Sequence, residues 1–166
     1  MTEPNESVAA AGVTLDDVVV FIPLIPPGAR LIGVDPGTKT LGLALSDVTL
    51  TIASPLETIR KTKFTADAAR LLERAHTLGV GGLVIGLPVN LDGSSGPRAQ
   101  SARALARNLN RLSPLPILLW DERLTTAAAE RMLIDADQSR RRRAEVIDKV
   151  AATIILQGAL DRMRFL

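Results

Sequence analysis

Two periods of hydrophobic and polar positions alternate along this chain, and the switches between them mark its elements. Residues 31–34 are a short apolar run closing on Asp35-Pro36-Gly37, which predicts a strand ending in a turn. A second apolar run at 41–45 follows after only a few residues, so the two are expected to pair as an antiparallel hairpin. Residues 52–58 form a weaker third strand, and Pro55 assigns it to a sheet edge. Ala68, Leu71, Leu72, Ala75 and Leu78 then recur at helical spacing, predicting a helix over 65–78, opened by Thr65 and stopped by Gly79. Residues 83–85, between Gly82 and Gly86, read as a buried strand. A Gly/Ser/Pro loop at 87–97 leads to a second helix over 98–112. Residues 117–120 form the fifth strand. Helices over 125–136 and 144–164 close the chain, separated by the polar, Arg-rich stretch 137–143.

Three strands followed by alternating helices and strands specify an α/β fold, a five-stranded mixed sheet with helices on both faces. Residues 30–166 make up this domain. Residues 1–29 read as an N-terminal extension, polar and frayed to about residue 12, with an extended or short helical piece at 18–25 packed on the domain surface. Ligands of such sheets bind outside the carboxyl ends of the parallel strands. That rule singles out Asp35, the loop after Gly86, and Asp121-Glu122.

Composition narrows the chemistry mainly by what is missing. The 166 residues contain no Cys, which excludes disulfides, thiolate catalysis and the usual structural zinc sites. The single histidine, His76, lies off the apolar stripe of its helix and reads as a solvated residue rather than a general base. With no Tyr, three Phe and one Trp, the sequence offers no evident platform for stacking single-stranded bases. A net charge of +2 permits a nucleic-acid partner without requiring one. The longest apolar run, 18–25, is short and broken by Pro23, so no membrane span or signal peptide is expected and the cytoplasm is the default. Catalysis is left to carboxylates, hydroxyls, lysine or a bound metal.

Asp35, taken alone, is as consistent with a turn-forming residue as with a catalytic one. The segment from Gly33 to Thr40 approaches a phosphate-binding P-loop, but Thr38 replaces the second glycine and Lys39-Thr40 leads into a strand, so that reading is rejected. Asp121 and Glu122 close the fifth strand before a Thr-led helix, a place where acids either favour a helix N-terminus or hold a metal. Asp148 precedes Ala151, Ala152 and Ile155 by three, four and seven residues, so its helix face is small and apolar. A carboxylate carried into such packing needs a counter-charge or a cation; the competing reading is a surface ion pair with Lys149 or Arg143. Three carboxylates from separate segments meeting at one sheet edge suit Mg²⁺ or Mn²⁺, with Asp35, Asp121, Glu122 and Asp148 as candidate ligands.

The loop from Gly86 to Arg98 is long and rich in backbone N–H groups, a candidate substrate loop carrying Asn90 and Ser94. Arg98, Arg103, Arg107 and Arg111 recur along the second helix, a pattern more typical of a solvated face. The run Arg140–Arg143 beside the Asp148 helix is better suited to phosphates. Lys39, Asn90, Ser94, Arg98, Arg123, Arg141 and Arg142 are therefore the candidate nucleic-acid contacts.

Four blocks, LIGVDPGTKTLGLALSD at 31–47, IGLPVNLDGSSG at 85–96, DERLTT at 121–126 and VIDKVAATIIL at 146–156, resemble in order those of the YqgF/RuvX family. The resemblance spans about residues 30–162. It implies an RNase H-like fold and a divalent-metal site using Asp35, Glu122 with Asp121 nearby, and Asp148. It further implies a nuclease that processes the 5′ end of pre-16S rRNA, or alternatively resolves branched DNA. Residues 86–89 offer no acid at the end of the fourth strand, where related resolvases carry one, so Glu122 is the natural replacement. Thr40 stands where members often carry a basic residue, with Lys39 beside it. The expected partner is nucleic acid, bound by a monomer or homodimer. A non-catalytic nucleic-acid-binding module is the remaining alternative. Asp35-x-Gly37-Thr38 also resembles the phosphate loop of sugar kinases, which need two related domains where this chain has room for one.

Overall fold

The computed structural model describes residues 12–90, 92–124 and 140–166, with the side chains of the last helix described from Val150 onward. Its elements are, in chain order, Thr14–Leu15 (β1), Val18–Phe21 (α1), a 3₁₀ turn at Ile22–Leu24, Arg30–Pro36 (β2), Thr40–Ser46 (β3), Ala53–Arg60 (β4), Phe64–Thr77 (α2), Val80–Leu87 (β5), Pro97–Leu112 (α3), Ile117–Asp121 (β6), a 3₁₀ turn at Glu122–Leu124, and Arg140–Met163 (α4). The expected helix over 125–136 lies outside the described residues.

One six-stranded sheet runs in the order β1-β6-β5-β2-β3-β4. The hairpin forms as predicted, β2 and β3 pairing antiparallel with Asp35 opposite Gly42. β4 is the edge strand that Pro55 foretold, and the β3–β4 register shifts between Leu43 and Ala44, at the rung where Pro55 pairs with Ala44. A ring nitrogen without a proton is tolerated at such an irregular edge. β2, β5 and β6 run parallel, so Asp35, Gly86 and Asp121 arrive at the same end of the sheet.

Alternation along the strands sends side chains into two cores. Ile32, Val34, Leu83, Ile85, Ile117 and Leu119 pack under Ala68, Leu71 and Ala75 of α2 and Ala99, Ala102, Ala106 and Leu109 of α3. Leu31, Ala44, Val84, Leu118 and Trp120 pack under Ala152, Ile155, Leu156, Ala159 and Leu160 of α4. Helices thus cover both faces, as the element order requires. Among the described residues no helix is long and apolar enough to cross a membrane.

Four expectations shift. The sheet gains a sixth strand because residues 14–15 pair with Ile117 and Leu118 of β6; a two-residue strand has no period to read. The 18–25 piece does more than lie on the surface, since Phe21 is fully buried in the α4-side core. The final helix is already formed at Arg140 rather than 144, so the polar stretch 137–143 ends inside it. Helix α2 also begins one residue early, with Lys63 at its N-cap. Asp67 reaches back from the first turn to accept from the Thr62 N–H, at 3.1 Å, and from the Thr62 hydroxyl, at 3.0 Å. Those bonds tie the chain entering the helix to its first turn; neither Thr65 nor Lys63 caps the helix with its side chain.

Candidate active site

Alternation along β2 places Leu31, Gly33 and Asp35 on the α4 face, since Ile32 and Val34 belong to the opposite core. Asp35 is only 1% exposed. A carboxylate at that depth requires polar or ionic company. Its strand neighbours on that face are both glycines. Gly42 stands opposite on β3, and on β5 Gly86 follows Ile85, the partner of Val34.

The glycine at 86 makes room for a second carboxylate. A Cβ built there would lie 2.8 Å from Oε1 of Glu122 and 2.5 Å from Cδ1 of Ile155. Both contacts are too short to persist, so a side chain at 86 would push the Glu122 carboxylate and the Ile155 tip away from the strand. Oε1 of Glu122 is itself buried. Gly33 acts likewise two residues before Asp35: its Cβ would lie 2.7 Å from Cβ of Leu156 and 3.0 Å from the Ala152 carbonyl oxygen. Helix α4 therefore rests almost directly on the backbone of β2.

Asp35 and Glu122 consequently share one face of the sheet, at its carboxyl end, in a cradle free of Cβ atoms. Asp148 lies on α4, four residues before Ala152 and seven before Ile155; its side chain lies outside the described residues, as do those of Arg141 and Arg142. Among the described residues no group of three His, Cys, Asp or Glu side chains comes together. The buried Asp35 carboxylate and the half-buried Glu122 carboxylate are hard oxygen donors, a set that fits Mg²⁺ or Mn²⁺ better than a softer metal.

Asp121 is engaged differently. Its Oδ2 pairs with Nη2 of Arg123 at 2.7 Å, and its Oδ1 accepts from the Arg123 backbone N–H at 2.9 Å. The Arg123 hydrogen bonds hold the Asp121 carboxyl below its ordinary pKa and raise that of the guanidinium. Arg123 also faces the substrate loop, because a Cβ on Gly93 would lie 3.6 Å from its Nη1. That loop is folded on itself. Nδ2 of Asn90 donates to the Ser94 hydroxyl at 2.9 Å, and the hydroxyl donates to Oδ1 of Asp92 at 2.6 Å. Gly93 turns the chain at φ +86°. The Ser94 hydroxyl and N–H lower the Asp92 pKa, with Arg123 adding a weaker Coulombic pull.

Asn90, Ser94 and Arg123 therefore gather into one loop platform beside Glu122. Lys39 and Arg98 are exposed, in the β2–β3 turn and the first turn of α3. Arg103, Arg107 and Arg111 are solvated, as their spacing suggested, and His76 is exposed. Lys61 escaped the sequence reading. Its Nζ donates to the Gly37 carbonyl at 2.9 Å and its N–H to the Lys39 carbonyl at 2.9 Å, which brings it to the turn after Asp35. A lysine just after a weak edge strand carries no signal of which turn it will meet. The glycine cradle was equally hidden, since Gly42 and Gly86 become neighbours of Asp35 only through the strand order.

A family model described as "RuvX: Holliday junction resolvase" matches residues 29–162. A protein of Paracoccus denitrificans named "Putative pre-16S rRNA nuclease" is 60% identical, over 91% of this chain and 96% of its own length. One of the same name from Roseobacter denitrificans is 58% identical, over 90% and 93%. Among solved structures, T. thermophilus RuvC in complex with a Holliday junction substrate superimposes with a TM-score of 0.52 at 15% identity, over 82% of this chain and 96% of that one. The last likeness concerns the fold, which is RNase H-like. Model and relatives agree over nearly the whole length, and this chain belongs to the RuvX family of enzymes.

Proposed function

We propose that this protein is a metal-dependent nuclease that hydrolyses RNA phosphodiester bonds and processes the 5′ end of pre-16S rRNA in the cytoplasm. The observation that carries the reading is the burial of Asp35 beside Gly86, where Glu122 fills the space of a missing side chain on the same face. Two acids brought to one end of a sheet, one of them fully buried, form a donor set that a bound cation would complete.

Asp35 and Glu122, joined by Asp148 from α4 and with Asp121 nearby, would hold Mg²⁺ or Mn²⁺. When bound, the cation supplies positive charge against the phosphate as negative charge builds on it. The chain's own part is orientation. Gly33 and Gly86 fix the distance of α4 from the strands, and with it the position of the Asp148 segment relative to Asp35. Arg123 spans Asp121 and the loop, so Asn90 and Ser94 are presented to the sugar-phosphate backbone as a preset surface. Lys39, Arg98, Arg141 and Arg142 supply phosphate contacts, which position the strand without reading its sequence.

The family description favours one further reading, resolution of branched DNA, which needs two copies to cut two strands. Purified protein with Mn²⁺, given precursor rRNA and four-way junction DNA in parallel, separates the two. Cleavage of the RNA that is lost in Asp35→Asn, Glu122→Gln and Asp148→Asn is the expected result. Junction cutting without RNA cleavage would replace it with the second reading, and binding of either substrate without cleavage would remove the enzyme.

A further inference from the structure

A cleft of about 340 Å³ opens between α2 and α3, on the face of the sheet opposite Glu122. That size is ample for one ring system and small for a protein segment. Its lining includes Pro36, Leu41, Lys61, Phe64, Ser101 and Asn108. Pro36 follows Asp35 in the chain, so the cleft begins one residue from the buried carboxylate. Phe64, the first residue of α2, is 38% exposed, although an aromatic ring with no task is better buried. Leu41 gives an apolar wall, and Ser101 and Asn108 give hydroxyl and amide groups able to meet polar ring edges.

The exposed charges beside this cleft are basic. Lys39, Arg60, Lys61 and Lys63 are all exposed along the adjoining turn and strand end. Asp67, the lining acid, is 7% exposed and occupied by the Thr62 hydroxyl and N–H. Lys61 spends one N–H on the Gly37 carbonyl, which leaves two donors for an anion. An aromatic ring at the lip of a cavity, ringed by cations, matches the way proteins hold unpaired nucleotides, stacking the base and neutralising the phosphate.

We propose that this cleft binds an unpaired nucleotide of the substrate strand, with Phe64 stacking on the base and Lys61 holding its phosphate. The inference rests on the nuclease reading above and adds to it a preference for single-stranded over fully paired substrate next to the scissile bond. It would replace the expectation that the sequence offers no stacking platform. Composition counted three Phe, but only the fold brings one of them to the mouth of a basic cleft.

The test is fluorescence anisotropy in EDTA with three labelled probes: a single-stranded RNA, a DNA of the same sequence, and a blunt duplex. Phe64→Ala is expected to weaken single-strand binding roughly tenfold and to leave duplex binding unchanged, while Phe64→Trp restores it. Ser101→Trp, which fills the cleft from an exposed position on α3, should reproduce the loss. Lys61→Gln should lower the slope of affinity against salt by about one. A wild-type protein that binds single strands while Phe64→Ala and Ser101→Trp bind equally well overturns the subsite and leaves the nuclease reading standing. A wild-type protein that binds none of the probes overturns the subsite as well, while the nuclease reading stands or falls on the cleavage assay with Mn²⁺.

Discussion

The two ends of β5 use the same device for opposite purposes. At its start, Gly81 and Gly82 admit apolar groups: a Cβ on Gly82 would lie 2.6 Å from Cδ1 of Ile25 and 3.0 Å from Cζ of Phe21, and one on Gly81 would lie 2.7 Å from Cβ of Ala29. At its finish, Gly86 admits the carboxylate of Glu122. Removing a side chain from a central strand weakens the sheet locally. At the first end that loss is offset by burying Phe21, a gain of about 2–3 kcal/mol. At the second end the space is given to an ionisable group, which brings a desolvation cost in place of a gain. One end of the strand is built for cohesion; the other, on the proposed function, serves chemistry.

The widest separation of the two ends should come from Asp35→Asn. Precursor cleavage is expected to fall by at least about 10³-fold, the scale of losing a charged catalytic group, while the melting temperature holds or rises because a buried charge is gone. A melting temperature that collapses together with the activity would make Asp35 a structural residue.

Gly86→Ala and Gly82→Ala give the sharpest paired contrast. The first drives a methyl into Glu122 and Ile155, so a rate loss near 10²-fold should accompany a destabilisation of about 1–3 kcal/mol. The second should cost a similar 1–3 kcal/mol and leave the rate per folded molecule intact. Equal rate losses from both would dissolve the distinction. Phe21→Ala tests the cohesive end directly: urea denaturation should show a loss of about 3–5 kcal/mol, with kcat unchanged below the transition.

The smallest effect belongs to Arg123. Because its hydrogen bonds lower the Asp121 pKa in the folded chain, their contribution to stability is fully present above the ordinary value of 3.8 and disappears as pH falls below it. Arg123→Gln should therefore melt slightly lower than the wild type near neutral pH, and the two curves should merge in acid. The same variant should raise KM a few-fold by releasing the loop at Gly93, with little change in kcat. A gap in melting temperature that persists once Asp121 is protonated in the folded chain would assign the effect to packing instead.

Period and turn chemistry were enough to find the hairpin of β2 and β3, the edge placement of β4, helices α2 and α3, and Asp35 at a strand end. These are local properties, and each is written in a few consecutive residues. What escaped depends on strand order. Glycines at 42 and 86 look like ordinary breaks in a strand pattern until β2 is seen between their strands. β1 was missed because two residues cannot display alternation, and Phe21 looked like surface because its burial depends on Gly82, some sixty positions further along. Lys61 and Phe64 were passed over for a similar reason, since the value of each lies in the turn or helix that it meets.

The margins of the sheet carry a separate consequence. A long bare strand edge invites pairing with a second chain and fibrous growth. On one side the sheet ends in β1, only two residues long. On the other it ends in β4, where Pro55 offers no N–H, the register breaks at Leu43 and Ala44, and Arg60 closes the strand. Among the described residues both borders are thus poor templates for a further strand, which disfavours edge-to-edge stacking of one copy on another.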